Sequence, residues 1–168
     1  MKFLSIFALA AGLTAVAADA GISGNAGLEY CKGDGKDSKL QLDEVNIEPA
    51  NAIRGQSVRI TAKGTSKKEL HTGAEVVLKF KKGIIKKTFK KPICEGEGAI
   101  QCPSKNIDTS FSQFIPEKAP AGDWKVEIKV KDGKDELACF KTKIHVDKDP
   151  EKEKKGDKED KEDKENDQ

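Results

Sequence analysis

The sequence predicts an all-β protein folded as an antiparallel sandwich of two sheets. Three observations carry that prediction. From Trp124 to Val130 every even position is apolar and every odd one charged, the period-2 pattern of a strand with one buried face. Similar short segments recur through the middle of the chain, separated by Gly, Pro and Asp turns. No long stretch repeats its apolar residues at the 3.6-residue helical period.

The elements follow in chain order. Residues 1–20 read as a signal peptide. Lys2 supplies the positive start, Phe3 to Ala17 is a nearly unbroken apolar run, and Ala15-Val16-Ala17 and Ala18-Asp19-Ala20 both offer small-x-small cleavage sites. The run is shorter than the roughly 20 residues of a bilayer span, so a secretory destination is expected. Leu40, Leu42, Val45 and Ile47 then lead to Pro49, and Gly55 breaks the chain again. Ser57 to Ala62 alternates polar and apolar, and Ala74 to Lys81 puts Val76, Leu78 and Phe80 on one face. After the strand at Trp124–Val130, Asp132-Gly133 supplies a hairpin turn. Its partner strand runs from Glu136 to Val146 and carries Cys139, Phe140, Ile144 and Val146. Residues 147–168 hold 11 acidic and 7 basic side chains and nothing apolar to anchor them, so they read as a disordered, solubilising charged tail. The rest of the chain, with 24 basic and 18 acidic residues, is net positive.

Four cysteines in a secreted chain point to two disulfides, for which three pairings exist. Cys94 and Cys102 bracket a short Gly-rich segment, whereas Cys31 and Cys139 lie near the two ends of the ordered part, so the spacing favours Cys94–Cys102 with Cys31–Cys139. Closing the longer loop contributes about 4–5 kcal/mol on chain-entropy grounds. Neither the cysteine spacing nor His71 and His145 supply the close pairs of a metal site.

Residues 21–146 suffice for one core and not for two, which excludes a TIM barrel, a kinase domain or a two-domain dehydrogenase. No P-loop, dinucleotide fingerprint, Gly-x-Ser-x-Gly elbow or His-Glu-x-x-His is present, so no catalytic residue is assigned and an enzyme is not expected. The strongest electrostatic feature is Lys79–Lys91, with seven lysines, no acid, and Phe80, Ile84, Ile85 and Phe89 among them. Anionic lipid surfaces attract such residues by about 1 kcal/mol each. Nucleic acid would attract them too, but a secreted protein seldom meets it and no nucleic-acid partner is expected.

A series of motifs then runs from Cys31 to Val146: Val45-x-Ile47-x-Pro49 with Gly55-Gln56-x-Val58-x-Ile60, Gly73-Ala74-x-Val76, Ile93-Cys94, Cys102-Pro103, Ile115-Pro116, Pro120-x-Gly122 and Leu137-x-Cys139. In order and spacing they resemble the ML lipid-recognition family, which includes the cholesterol-carrying Niemann–Pick type C protein and fungal phosphatidylglycerol/phosphatidylinositol transfer proteins. The third, short disulfide common in animal sterol carriers is missing here, which makes the fungal branch the nearer match. The resemblance implies an immunoglobulin-like sandwich with an internal apolar cavity, and the same two disulfide pairings. It implies a lipid ligand, phospholipid or sterol, carried between membranes by a monomer without cofactor or metal. The destination is the exterior or the vacuolar or lysosomal lumen.

The expected cavity lining is the inward face, with Val58, Ile60, Val76, Leu78, Phe80, Trp124, Val126 and Ile128, and with Phe111, Phe114 and Ile115 near the entrance. Ordinary core packing accounts for each of these equally well. Lys86, Lys87, Lys90 and Lys91 are the expected contacts with anionic membranes. The competing reading is a secreted β-sandwich co-receptor or adhesion module that acts through its surface.

Overall fold

The structure, a computed structural model, describes residues 21–148. The expected signal peptide at 1–20, and the charged tail from residue 149 onward, lie outside the described residues.

Nine strands form two sheets: β1 (Glu29–Tyr30), β2 (Leu40–Glu48), β3 (Ala52–Ile53), β4 (Ser57–Leu70), β5 (Ala74–Lys82), β6 (Ile85–Pro92), β7 (Ser104–Phe114), β8 (Gly122–Asp132) and β9 (Asp135–Asp147). The larger sheet has the order β1-β9-β8-β5-β6, with β3 added alongside β9; the smaller has the order β2-β4-β7. All pairings are antiparallel except the short β3–β9 contact. The antiparallel two-sheet sandwich is what the alternation and turn spacing predict, and its immunoglobulin-like form is what the family resemblance implies.

Two strands go beyond what the alternation marks. β4 continues past Ala62 through a polar stretch to Leu70, held between β2 and β7 on its two sides. Gly64 permits that, because a Cβ there would collide with the Gln41 carbonyl of β2. β7 has no clean apolar period in sequence. Its cavity-facing positions are Ile107, Thr109, Phe111 and Gln113, so polar residues interrupt the expected pattern on the inner face. Pairing with β4 over nearly its whole length makes it a strand regardless of its composition.

The core has two parts. The larger surrounds Phe140, Leu40 and Leu70, the most deeply buried large side chains. The smaller joins Ala52, Val58, Ile115, Trp124 and Val146 at the other end of the sandwich. Cys31–Cys139 ties the end of β1 to β9 across 108 residues of sequence, and Cys94–Cys102 closes the loop between β6 and β7.

Candidate functional site

Between the sheets lies a cavity of about 160 Å³. Strand parity builds its walls. On β8, Val126, Ile128 and Val130 share the inward face; on β5, Val76, Leu78 and Phe80 do; on β4, Val58 and Ile60 stand opposite them. Of the eleven residues expected in the lining, nine border the cavity: Val58, Ile60, Val76, Leu78, Phe80, Phe111, Ile115, Val126 and Ile128.

The other two do not. Phe114 follows Phe111 by three positions on the same strand, which places it on the opposite face, and it is 53% exposed. Trp124 has the right parity but sits at the start of β8. There it is buried against Ala52, Val58, Ile115 and Val146, and its Nε1 donates to the Pro120 carbonyl at 2.9 Å. It closes one end of the interior as core.

Sequence reasoning missed other wall residues. Leu42, Val45 and Ile47 of β2 and Ile144 of β9 border the cavity. So does Lys91, whose ammonium lies 4.1 Å from the centre of the Phe111 ring. A signal for Lys91 existed. Lys82 pairs with Ile85 around a two-residue Gly83-Ile84 turn, with Gly83 at φ 56°, and counting back along the hairpin sets Lys91 opposite Val76. Directly opposed residues share a face, so Lys91 points the way Val76 points.

The same register sorts the four lysines expected to meet anionic membranes. Lys87 and Lys91 lie opposite Phe80 and Val76 on the inner side of β6, while Lys86 and Lys90 lie on the outer side. Lys90 reaches Glu75 at 3.1 Å. Lys86, by contrast, joins a row that no linear reading reveals: Lys86, Lys81, Lys125 and Lys143 stand directly opposite one another across β6, β5, β8 and β9. None of the four has an ion-pair partner among the described residues, and like charges directly opposed destabilise a sheet. One row away the charges balance, with Lys79 near Glu127 at 3.3 Å and Lys141 near Glu29 at 3.5 Å. The lysine row lies near the β5–β6 turn, where Ile84 is 97% exposed.

The carboxyl groups whose ionisation the fold shifts lie on the surface. The Asp123 carboxyl is held low by a hydrogen bond with His145, Asp135 chiefly by Lys68, and Glu136 by Lys129; Lys68 and Lys129 are raised in turn by those partners. Burial raises the Tyr30 phenol. None of these groups borders the cavity.

Comparison with known proteins agrees with this architecture. The structure is similar to a Niemann–Pick type C2 protein from the Japanese carpenter ant, with a TM-score of 0.59 at 19% identity over 71% of this chain and 98% of that one. In sequence it is 31% identical to a phosphatidylglycerol/phosphatidylinositol transfer protein of Candida albicans over 73% of this chain and 67% of the relative. It is 28% identical to a protein of the same name from Pyricularia oryzae over 76% of this chain and 75% of the relative. The profile of the ML domain matches residues 26–146, and the chain belongs to the ML domain family.

Proposed function

We propose that this protein is a non-enzymatic carrier that takes a phospholipid or sterol into the cavity between its sheets and moves it between membranes in a secretory, vacuolar or lysosomal lumen. The observation that carries the reading is an apolar cavity between two sheets whose edge strands, β6 and β7, are not hydrogen-bonded to each other. Each buried methylene is worth about 0.8 kcal/mol, so an acyl chain crosses water at a cost of order 10 kcal/mol unless it is shielded. Shielding requires a dry interior and no bond-making residue. Small-molecule pockets generally begin at about 300 Å³, and the 160 Å³ here is smaller. Loading therefore moves the sheets apart, most easily along the unbonded β6–β7 side. Relatives from Candida albicans and Pyricularia oryzae bear the name phosphatidylglycerol/phosphatidylinositol transfer protein, which supports phospholipid as cargo.

Organic extraction of the purified full-length protein followed by mass spectrometry tests the reading, together with uptake of labelled phosphatidylglycerol and labelled cholesterol from vesicles. One lipid per chain, or saturable uptake of either label, is expected. A protein that yields no lipid and takes up neither label overturns the reading and favours a module that acts through its surface.

Docking is assigned to the end that bears the β5–β6 turn. There the lysine row, which makes no ion pair among the described residues, offers charge and Ile84 offers an apolar tip, each lysine contributing about 1 kcal/mol near an anionic surface. Changing Lys81, Lys86 and Lys125 together to Glu slows transfer between anionic vesicles at low salt, and the deficit shrinks at high salt as screening weakens the parent's attraction. Equal rates at low salt refute the docking assignment and leave the cavity standing.

A further inference from the structure

The cavity wall is apolar apart from a few polar side chains, and nearly all of those are already committed within the fold. The Thr109 hydroxyl donates to the Gly98 carbonyl, and the Thr142 hydroxyl donates to the Ala26 carbonyl at 2.6 Å. Gln113 Nε2 donates to the Phe114 carbonyl at 3.0 Å, and Glu97 Oε1 accepts from the Ser112 amide at 3.0 Å. Lys91 is the exception. Its ammonium has the Phe111 ring beneath it and no hydrogen-bond or ion-pair acceptor among the described residues.

Its position is set by the backbone. The β5–β6 register aims it inward beside Val76, and its reach to Phe111 of β7 brings the ammonium into the gap between the two sheets at their open edge. A leucine or methionine there would suit a wholly apolar cargo better, because a cation drawn partly out of water without an acceptor is costly. The cost is recovered when the cargo supplies an anionic oxygen. A lipid with its tails among Val76, Ile128 and Ile60 presents its headgroup at that same gap, and an ammonium–phosphate contact is a charge-assisted hydrogen bond.

Resting on the carrier reading above, we propose that Lys91 binds the phosphate of the cargo's headgroup at the cavity mouth, which makes the preferred cargo a phosphodiester lipid and not a sterol. The site needs both the charge of Lys91 and the apolar chamber behind it. Free phosphate, which cannot use the chamber, binds far more weakly.

The test uses the full-length protein and labelled lipids supplied as monomers from a cyclodextrin carrier, so that no membrane surface and no competing phospholipid favours one cargo over another. Uptake of labelled phosphatidylglycerol, diacylglycerol and cholesterol is compared for the parent, Lys91→Met and Lys91→Arg. Met keeps the apolar stem and removes the charge. The expected result is a loss of at least about tenfold in phosphatidylglycerol affinity for Lys91→Met, diacylglycerol uptake unchanged, and recovery of most of the loss in Lys91→Arg. Millimolar inorganic phosphate leaves phosphatidylglycerol uptake intact. The proposal is overturned if Lys91→Met binds phosphatidylglycerol as the parent does, if it loses both glycerolipids equally, or if inorganic phosphate competes effectively. A parent that takes up none of the three lipids overturns the carrier reading itself, a result distinct from any change confined to the variant.

Discussion

β9 and β6 belong to the same sheet and both carry aromatic residues, yet they behave as opposites. Phe140 of β9 is fully buried, while Phe89 of β6 is 43% exposed. β9 has β8 on one side and β1 and β3 on the other, and Phe140 also meets the Tyr30 ring at a centroid distance of 5.0 Å. β6 has only β5. On the β9 side the two sheets are joined by backbone, with the Lys39 amide donating to the Leu137 carbonyl at 2.9 Å, and the Cys31–Cys139 bridge ties β1 to β9. On the β6 side, beyond the connecting loop, a lysine lying over a phenylalanine ring spans the gap. One edge is closed by backbone hydrogen bonds and packing; the other has no hydrogen bonds between its strands and is covered at one end by the loop that joins them. The carrier reading needs an edge that opens, and the β6–β7 side is the one without strand-to-strand hydrogen bonds.

That contrast can be broken most forcefully at the disulfides. Replacing Cys31 and Cys139 by Ser removes a loop constraint spanning 108 residues, with an expected loss of about 5 kcal/mol on chain-entropy grounds. Replacing Cys94 and Cys102, 8 residues apart, loses about 2.5 kcal/mol by the same relation. Urea unfolding of the two double mutants measures both, and equal losses contradict the loop-length account of the difference.

Phenylalanine truncation sharpens the comparison further. Phe140→Ala is expected to lower stability by about 3–5 kcal/mol, since it leaves a cavity in packed surroundings. Phe89→Ala, at an edge and T-stacked on Phe80 at 5.6 Å, is expected to cost less than about 1 kcal/mol. Chemical denaturation of both variants decides it. Comparable losses would mean that the β6 edge is as much a part of the core as β9.

The smallest effect is electrostatic and lies at the β8–β9 turn on the closed side. Asp135 is held below the ordinary carboxylate range by a hydrogen bond from Lys68 and by the charge of Lys39. The folded protein thus binds that proton less tightly than the unfolded chain does. Its contribution is fully present above the ordinary carboxylate range and disappears as pH falls through the depressed value. Asp135→Asn is expected to flatten the acid limb of stability slightly and to leave neutral stability almost unchanged, because exposed pairs contribute little. Thermal melts from neutral pH down to about pH 2 measure it. An unchanged acid limb would show that the pair does not form in solution.

Much of this molecule was legible from the linear chain because β-structure writes its burial into a two-residue period. The alternation at Trp124–Val130 and at Val76, Leu78 and Phe80 announces two walls of the cavity, since neighbouring side chains on a strand must face opposite ways. The motifs from Val45 to Cys139 carried the family, because they mark turns and cystines that the fold needs at fixed places. Pairing and end effects escaped. Phe114 reads as an entrance residue but faces outward by parity within a strand whose inner face is partly polar, and Trp124 reads as a wall residue but plugs the end of the interior. The lysine row arises from residues that become neighbours only when β5, β6, β8 and β9 align, whereas the inward turn of Lys91 follows from the β5–β6 hairpin register alone. A sequence records which face a residue takes relative to its neighbours in the chain. Only the folded sheets decide what stands opposite it, and whether the space between them is filled or hollow.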